Sequence, residues 1–408
     1  MKAGRRVVVT RLGALSALGP DVKTNWAAVA HGVCGIRPIA GIPTDRLVVK
    51  QAAEVIGYDS AAHFSERQLQ SLDRTSQLAL VAGHEAMADC MTGRDAPWRS
   101  DATRAGVILG AAIGQQTFDD SYKALYGDNA KRLHPMTVPR IMPNAPASHL
   151  SMAFGLRGPS FSVASACASS THAIGLAFHM IRGGLIDHAL TGGSDASIVV
   201  GFMKAWDALR VLSPDACRPF SADRQGLVIG EAAAILMLEE YDSACARGAA
   251  MIAELVGFGM SADAGDLTAP DASGSAQAMR AALEDAGLAA RDVDYVNAHG
   301  TGTRLNDKTE AAALADVFGE RLARLPVSST KSMHGHCLNA AGAIEAMITA
   351  LALRHGVLPP TIGFRVADPD CAIDCVANEA RSAPIRVAMS NSFAFGGLNA
   401  VLLLQRLP

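Results

Sequence analysis

Between Gly158 and Ile181 the chain carries no Lys, Arg, Asp or Glu. An uncharged run of that length is long enough to cross a bilayer, so it must enter lipid or be buried in protein. Ser160, Ser162, Ser165, Ser169, Ser170, Thr171, His172 and His179 decide the matter. Hydroxyls and imidazoles facing lipid would have no partners, and each would cost free energy. The run therefore predicts a strand and then a helix inside a water-soluble core.

The rest of the chain repeats that alternation. Short apolar runs at Val7–Thr10, Ala105–Leu109, Ser160–Ala164, Ala189–Thr191, Ala233–Leu238, Tyr295–Ala298 and Arg386–Met389 predict strands. Longer Ala-rich segments at Thr24–Ala30, Arg74–Ala88, Ser169–Arg182, Ser273–Ala286 and Ala340–Leu353 predict helices. Strands alternating with helices imply an α/β fold with buried sheets. Segments 31–70 and 112–150 are rich in Pro, Gly and polar residues and predict a cap over a site or long surface loops. A length of 408 residues suggests two or three domain-sized units. Ser165–Phe178 and Ser332–Leu351 echo each other as small-residue segments leading into Ala-rich helices.

A net charge of −3 provides no basic footprint for nucleic acid. The eight cysteines, Cys90 among them, form no CxxC pair and are expected as reduced thiols in a cytoplasmic protein. Cys371 and Cys375 have no second ligand pair, so no metal site is expected. Lys2, Arg5 and Arg6 before Val7-Val8-Val9 imitate a leader peptide, but Arg11 interrupts the run and a first strand fits better.

Four segments carry candidate chemistry. Cys167 stands in Ser165-Ala-Cys-Ala-Ser-Ser-Thr, between a strand and a helix, where the helix dipole favours a thiolate nucleophile. His299 ends a strand and opens His-Gly-Thr301-Gly-Thr303. Lys331 precedes His334 and His336, and a lysine in apolar surroundings needs a partner to keep its charge. Phe395-Gly396-Gly397 precedes the apolar run Ala400–Leu404, and its glycines free backbone N–H groups for an oxyanion. Each alone also fits an inert thiol, a satisfied histidine, a loop lysine or a simple turn.

In this order, together with Val7-Val-Val-Thr, Leu156-Arg-Gly-Pro-Ser and Leu255-Val-Gly-Phe-Gly-Met-Ser, the segments resemble the β-ketoacyl-acyl carrier protein synthases. The likeness is to the elongating type with a Cys-His-His centre, and it spans essentially the whole chain. It implies a thiolase-like, five-layered αβαβα fold with two similar halves, residues 1–253 with cap insertions and residues 254–408. It also implies a cytoplasmic homodimer, or a heterodimer with a homologous chain-length partner, that works on acyl carrier protein, away from nucleic acid and membrane. No cofactor is implied beyond the phosphopantetheine of the carrier.

Residue by residue, the resemblance makes Cys167 the nucleophile and His299 and His336 the pair that drives malonyl decarboxylation. Lys331 orders the polar network, with Asp307 and Glu310 as its acids. Thr301 and Thr303 hold the phosphopantetheine arm. Backbone N–H groups of Cys167 and Phe395 form the oxyanion hole, Phe395 is the gate, and Ile113 limits the depth of the acyl pocket. A silent partner subunit would lack Cys167. A thiolase would need a late cysteine where Phe395 stands, and a Cys-His-Asn enzyme would not have His336.

Arg11, Arg304, Asn306, His334 and Ala394 depart from the family's usual residues, and segment 65–73 is less basic than a housekeeping enzyme's. These departures make a specialised polyene or polyketide pathway the alternative to fatty-acid elongation.

Overall fold

A computed structural model of the chain describes residues 4–88, 98, 101–111 and 113–407. Its main sheet contains β1 (Val7–Ser16), β2 (Ala105–Gly110), β3 (Ser160–Val163), β4 (His188–Asp195), β5 (Ala232–Glu240) and β6 (Ala253–Ala262). It continues with β7 (Tyr295–Asn297), β8 (Pro326–Ser328), β9 (Asp374–Cys375), β10 (Val387–Ala394) and β11 (Leu398–Gln405). The spatial order is β9-β8-β7-β10-β11-β6-β1-β5-β4-β2-β3.

That order is a duplication. In the first half β1 runs antiparallel to β5 and β5 to β4, whereas β4, β2 and β3 are parallel. In the second half β6 runs antiparallel to β11 and β11 to β10, whereas β10, β7 and β8 are parallel. Val7–Val9 of β1 join the halves by pairing with Ala253–Leu255 of β6.

The described helices include α1 (Arg74–Ala86), α2 (Ala145–Phe154), α3 (Ser169–Arg182), α4 (Val200–Leu209), α5 (Ala272–Ala286), α6 (Arg304–Phe318) and α7 (Ala341–His355). An outer apolar core unites α1 and α2 with the first half-sheet, and a second unites α5 and α6 with the other. Between the half-sheets lies a central core shared by α3 and α7. The result is the expected αβαβα arrangement. Among the described residues no helix is long and apolar enough to cross a membrane. The uncharged run at 158–181 is β3 and α3.

Small residues are what let these layers touch. A Cβ on Gly13 of β1 would lie 1.8 Å from the Ala82 carbonyl of α1, and one on Gly259 of β6 would lie 2.1 Å from the Ala278 carbonyl of α5. The helices therefore rest on the strand backbone itself. The segments expected to be irregular hold more helix than their composition implied, including Gln115–Tyr122 and most of α2. Seven cysteines are free thiols, and Cys90 lies outside the described residues.

Candidate active site

Cys167 occupies the corner between β3 and α3. Ala166, immediately before it, has φ of +46°, a left-handed conformation costing about 1–3 kcal/mol for a residue with a Cβ. The thiol opens into a cavity of about 130 Å³ that is also lined by His299, Thr301, Thr303, His336 and Phe395. Six residues spread over more than half the chain thus share one space.

Burial dominates the electrostatics of the thiol. Burial pushes the Cys167 thiol up to about 11, against the opposing pull of Lys331 and of the backbone N–H groups of Cys167 and Phe395. Desolvation is the largest influence on the group and favours the protonated thiol. The two N–H groups that favour the anion are those expected at an oxyanion hole.

His299 and His336 present their rings edge to face, with centroids 5.4 Å apart and planes at 85°. Burial and the nearby Lys331 hold both well below the ordinary histidine range, so both are neutral. The His336 backbone is anchored on both sides: its N–H donates to Val228 O at 2.6 Å and its carbonyl accepts from Gly230 N–H at 2.9 Å. Nδ1 of His336 is buried without a partner among the described residues.

Lys331 is fully buried behind His299. Its Nζ donates to the His299 carbonyl at 2.7 Å and lies 3.3 Å from His299 Nδ1. Its ion pair is with Glu345 of α7, also fully buried. Burial pushes the Glu345 carboxyl up to about 7 against the pull of Lys331. Glu345 is the residue missed at the sequence level, where Asp307 and Glu310 were expected to be the network's acids. The available signal was a lone carboxylate in Ala341–Leu353, a stretch buried throughout, where a charge requires a partner.

Asp307 and Glu310 meet the site through the backbone of its loop. Glu310 accepts the N–H groups of His299 and Gly300 at 2.8 and 2.7 Å. Asp307 accepts those of Phe220 and Gly302 at 2.8 and 3.2 Å. Together they clamp the His-Gly-Thr-Gly-Thr loop onto the start of α6. Gly300 and Gly302 have φ of +35° and +78°, and a Cβ on Gly300 would meet Ser329 Cβ at 2.5 Å. Thr301 Oγ1 and Thr303 Oγ1 lie 2.9 Å apart on the cavity wall. His334 is occupied on both ring nitrogens, by Gly335 O and Thr330 Oγ1, as befits a neighbour of the site.

Ile113 stands apart. It is 43% exposed and does not line the cavity of this chain. It lies just ahead of helix Gln115–Tyr122.

A buried thiol beside two backbone N–H groups, sharing one cavity with two neutral imidazoles on a duplicated αβαβα frame, is an arrangement suited to a condensing enzyme. The chain belongs to the β-ketoacyl synthase family: its residues 4–244 match the family's N-terminal domain and residues 252–365 its C-terminal domain. It is 46% identical to nodulation protein E of Rhizobium sp. (strain N33) over 403 residues, covering 98% of this chain and 99% of that protein. It is 41% identical to 3-oxoacyl-[acyl-carrier-protein] synthase 2 of Staphylococcus aureus (strain COL) over 414 residues, covering 100% and 99%. Among solved structures, the ishigamide ketosynthase/chain length factor superposes with a TM-score of 0.94 at 36% identity, covering 100% of both chains.

Proposed function

We propose that the protein condenses an acyl thioester with malonyl-acyl carrier protein, releasing carbon dioxide and a 3-oxoacyl-carrier product. The observation that carries this reading is the convergence of Cys167, His299 and His336 on one cavity. Cys167 sulfur attacks the acyl carbonyl, and the developing oxyanion faces the N–H groups of Cys167 and Phe395. The carrier sulfur leaves with the proton given up by Cys167, and the acyl group remains as a thioester. A malonyl thioester then enters past Thr301 and Thr303. Its C–C bond to the carboxylate breaks, and the electron pair becomes an enolate whose oxygen accepts hydrogen bonds from His299 and His336. Neutral imidazoles suit that task, because donors in a dry site stabilise charge as it forms. The enolate carbon attacks the Cys167 thioester, the new C–C bond forms as the C–S bond breaks, and the departing thiolate takes up a proton from solvent. Lys331, held by Glu345, positions His299 through its carbonyl and Nδ1.

Loss of carbon dioxide supplies the carbanion, so the reading assigns no cofactor beyond the carrier's own phosphopantetheine. Acyl carrier protein as partner is supported by the named activity of the Staphylococcus relative. Action in the cytoplasm accords with this assignment. A second reading, a ketosynthase subunit of a specialised polyene or polyketide pathway paired with a chain-length partner, is supported by the likeness to the ishigamide ketosynthase/chain length factor. Purified protein supplied with acyl- and malonyl-carrier should release carbon dioxide and form 3-oxoacyl-carrier in equal amounts. Carbon dioxide without that product, or neither, contradicts the proposal. Turnover that rises severalfold on adding a homologous partner subunit favours the second reading, and turnover unchanged by it favours the first.

A further inference from the structure

Residues 330–336 carry two parts of the site: Lys331, which holds His299, and His336 itself. Between them stands His334, fully buried and outside the cavity that Cys167 opens into. Burial, with the nearby Lys331 next, holds its imidazole down to about 3, so the ring is neutral and carries one N–H. The Gly335 carbonyl, 2.8 Å from Nδ1, can only accept, so Nδ1 bears the proton. Nε2 is then an acceptor, and Thr330 Oγ1 donates to it at 3.0 Å. One ring in one tautomer thus ties the residue before Lys331 to the residue before His336.

We infer that His334 is a positioning residue: it fixes the turn between Lys331 and His336 and so holds the two imidazoles in the mutual orientation that lets both face one developing oxyanion. The inference rests on the condensing reading. The surroundings of the turn are crowded. Gly335 has φ of +68°, and a Cβ there would meet Ala53 Cβ and the Val228 carbonyl at 3.0 Å each. A Cβ on Gly230 would lie 2.5 Å from the His334 carbonyl, which also accepts from Cys337 Sγ at 3.4 Å. Without the ring, the Gly335 carbonyl and the buried Thr330 hydroxyl lose their partners with no water to replace them. The peptide at 335 is then free to turn, and His336 moves with it. Decarboxylation, the step that needs both imidazoles, is the step that suffers. Acyl transfer to Cys167 uses the backbone N–H groups of Cys167 and Phe395 and is spared.

The test uses the full chain and the variants His334→Leu, His334→Asn and Thr330→Val. Intact mass reads acyl loading of Cys167 from acyl-carrier protein, carbon dioxide release reads decarboxylation of malonyl-carrier protein, and denaturant midpoints read stability. His334→Leu removes both bonds and should slow decarboxylation by on the order of 10–100-fold, while loading stays within about threefold of the parent. His334→Asn puts an amide N–H near the place of Nδ1 and should recover most of that loss. Thr330→Val removes only the donor to Nε2 and should slow decarboxylation by roughly threefold to tenfold. It carries the test by itself if the leucine variant does not fold. A merely structural residue would lower both rates in proportion to the folded fraction, or lower the midpoint alone, and either result would overturn the role of His334. A parent that neither loads nor decarboxylates would overturn the condensing reading beneath it.

Discussion

The corner before α3 and the corner before α7 occupy equivalent places in the two halves. At each, a residue with a Cβ adopts φ of +46°, Ala166 in one and Leu338 in the other, and a short turn then enters the helix. The next residue differs. Cys167 opens into the cavity. Asn339 donates its amide to Asp195 Oδ2 at 2.7 Å and accepts from Ser169 Oγ at 3.3 Å, bracing one half against the other. Strained backbone is often taken as a sign of function. Here the strain belongs to the duplicated frame, and only the side chain and its surroundings make one corner chemical. The helices diverge in the same way: α7 is buried from Ala341 to Leu353, whereas α3 leaves His179 exposed.

Exchanging the two roles should give the largest effect. Cys167→Ala should abolish 3-oxoacyl product, whereas Asn339→Ala should keep the reaction and lose stability. Leaving the buried Asp195 short of a donor costs about 1–3 kcal/mol, visible as a lower denaturant midpoint. Product from Cys167→Ala, or a dead but fully stable Asn339→Ala, would break the comparison.

Next come the histidines. His299→Ala and His336→Ala should each slow malonyl decarboxylation by on the order of 10²–10³ while acyl loading of Cys167 persists. Decarboxylation at the parent rate in either variant would remove that residue from the mechanism. Their charge state is a separate check. Because both are held well below 6.5 by burial, their neutral forms should persist as pH falls through that value. Isotope-edited NMR of the two rings should show no titration near 6.5, whereas a midpoint there would mean that the site is wet.

Glu345→Gln should follow in size. Removing one partner of a buried ion pair leaves Lys331 uncompensated and costs about 3–5 kcal/mol, read by chemical denaturation. Asp307→Asn keeps one of its two accepting oxygens and should cost less. A smaller loss in Glu345→Gln than in Asp307→Asn would contradict the pairing.

These rankings also mark what could be read from the sequence. Cys167, His299 and the Phe395 turn were legible because each follows a strand beside small residues, whereas His336, which follows the short helix Lys331–His334, was legible only through its place in the family pattern. The pairing of Lys331 was not, since Glu345 is brought to it by the packing of α7 rather than by nearby sequence. Helix α6 escaped notice for a related reason: Asp307 and Glu310 lie on its buried face, so its polarity pattern is inverted. The far end of β1 was missed because Gly13 looks like a turn residue and is in fact a packing contact.

The claim that matters most is that a single thiol, at one of two matching corners, holds the acyl chain. Peptide mapping after brief exposure of the native protein to acyl-carrier protein tests it directly. The account predicts one acyl group per chain, on the peptide containing Cys167, removable by hydroxylamine as a thioester. Acylation at Cys217, Cys337 or any other residue, with Cys167 unmodified, would contradict it.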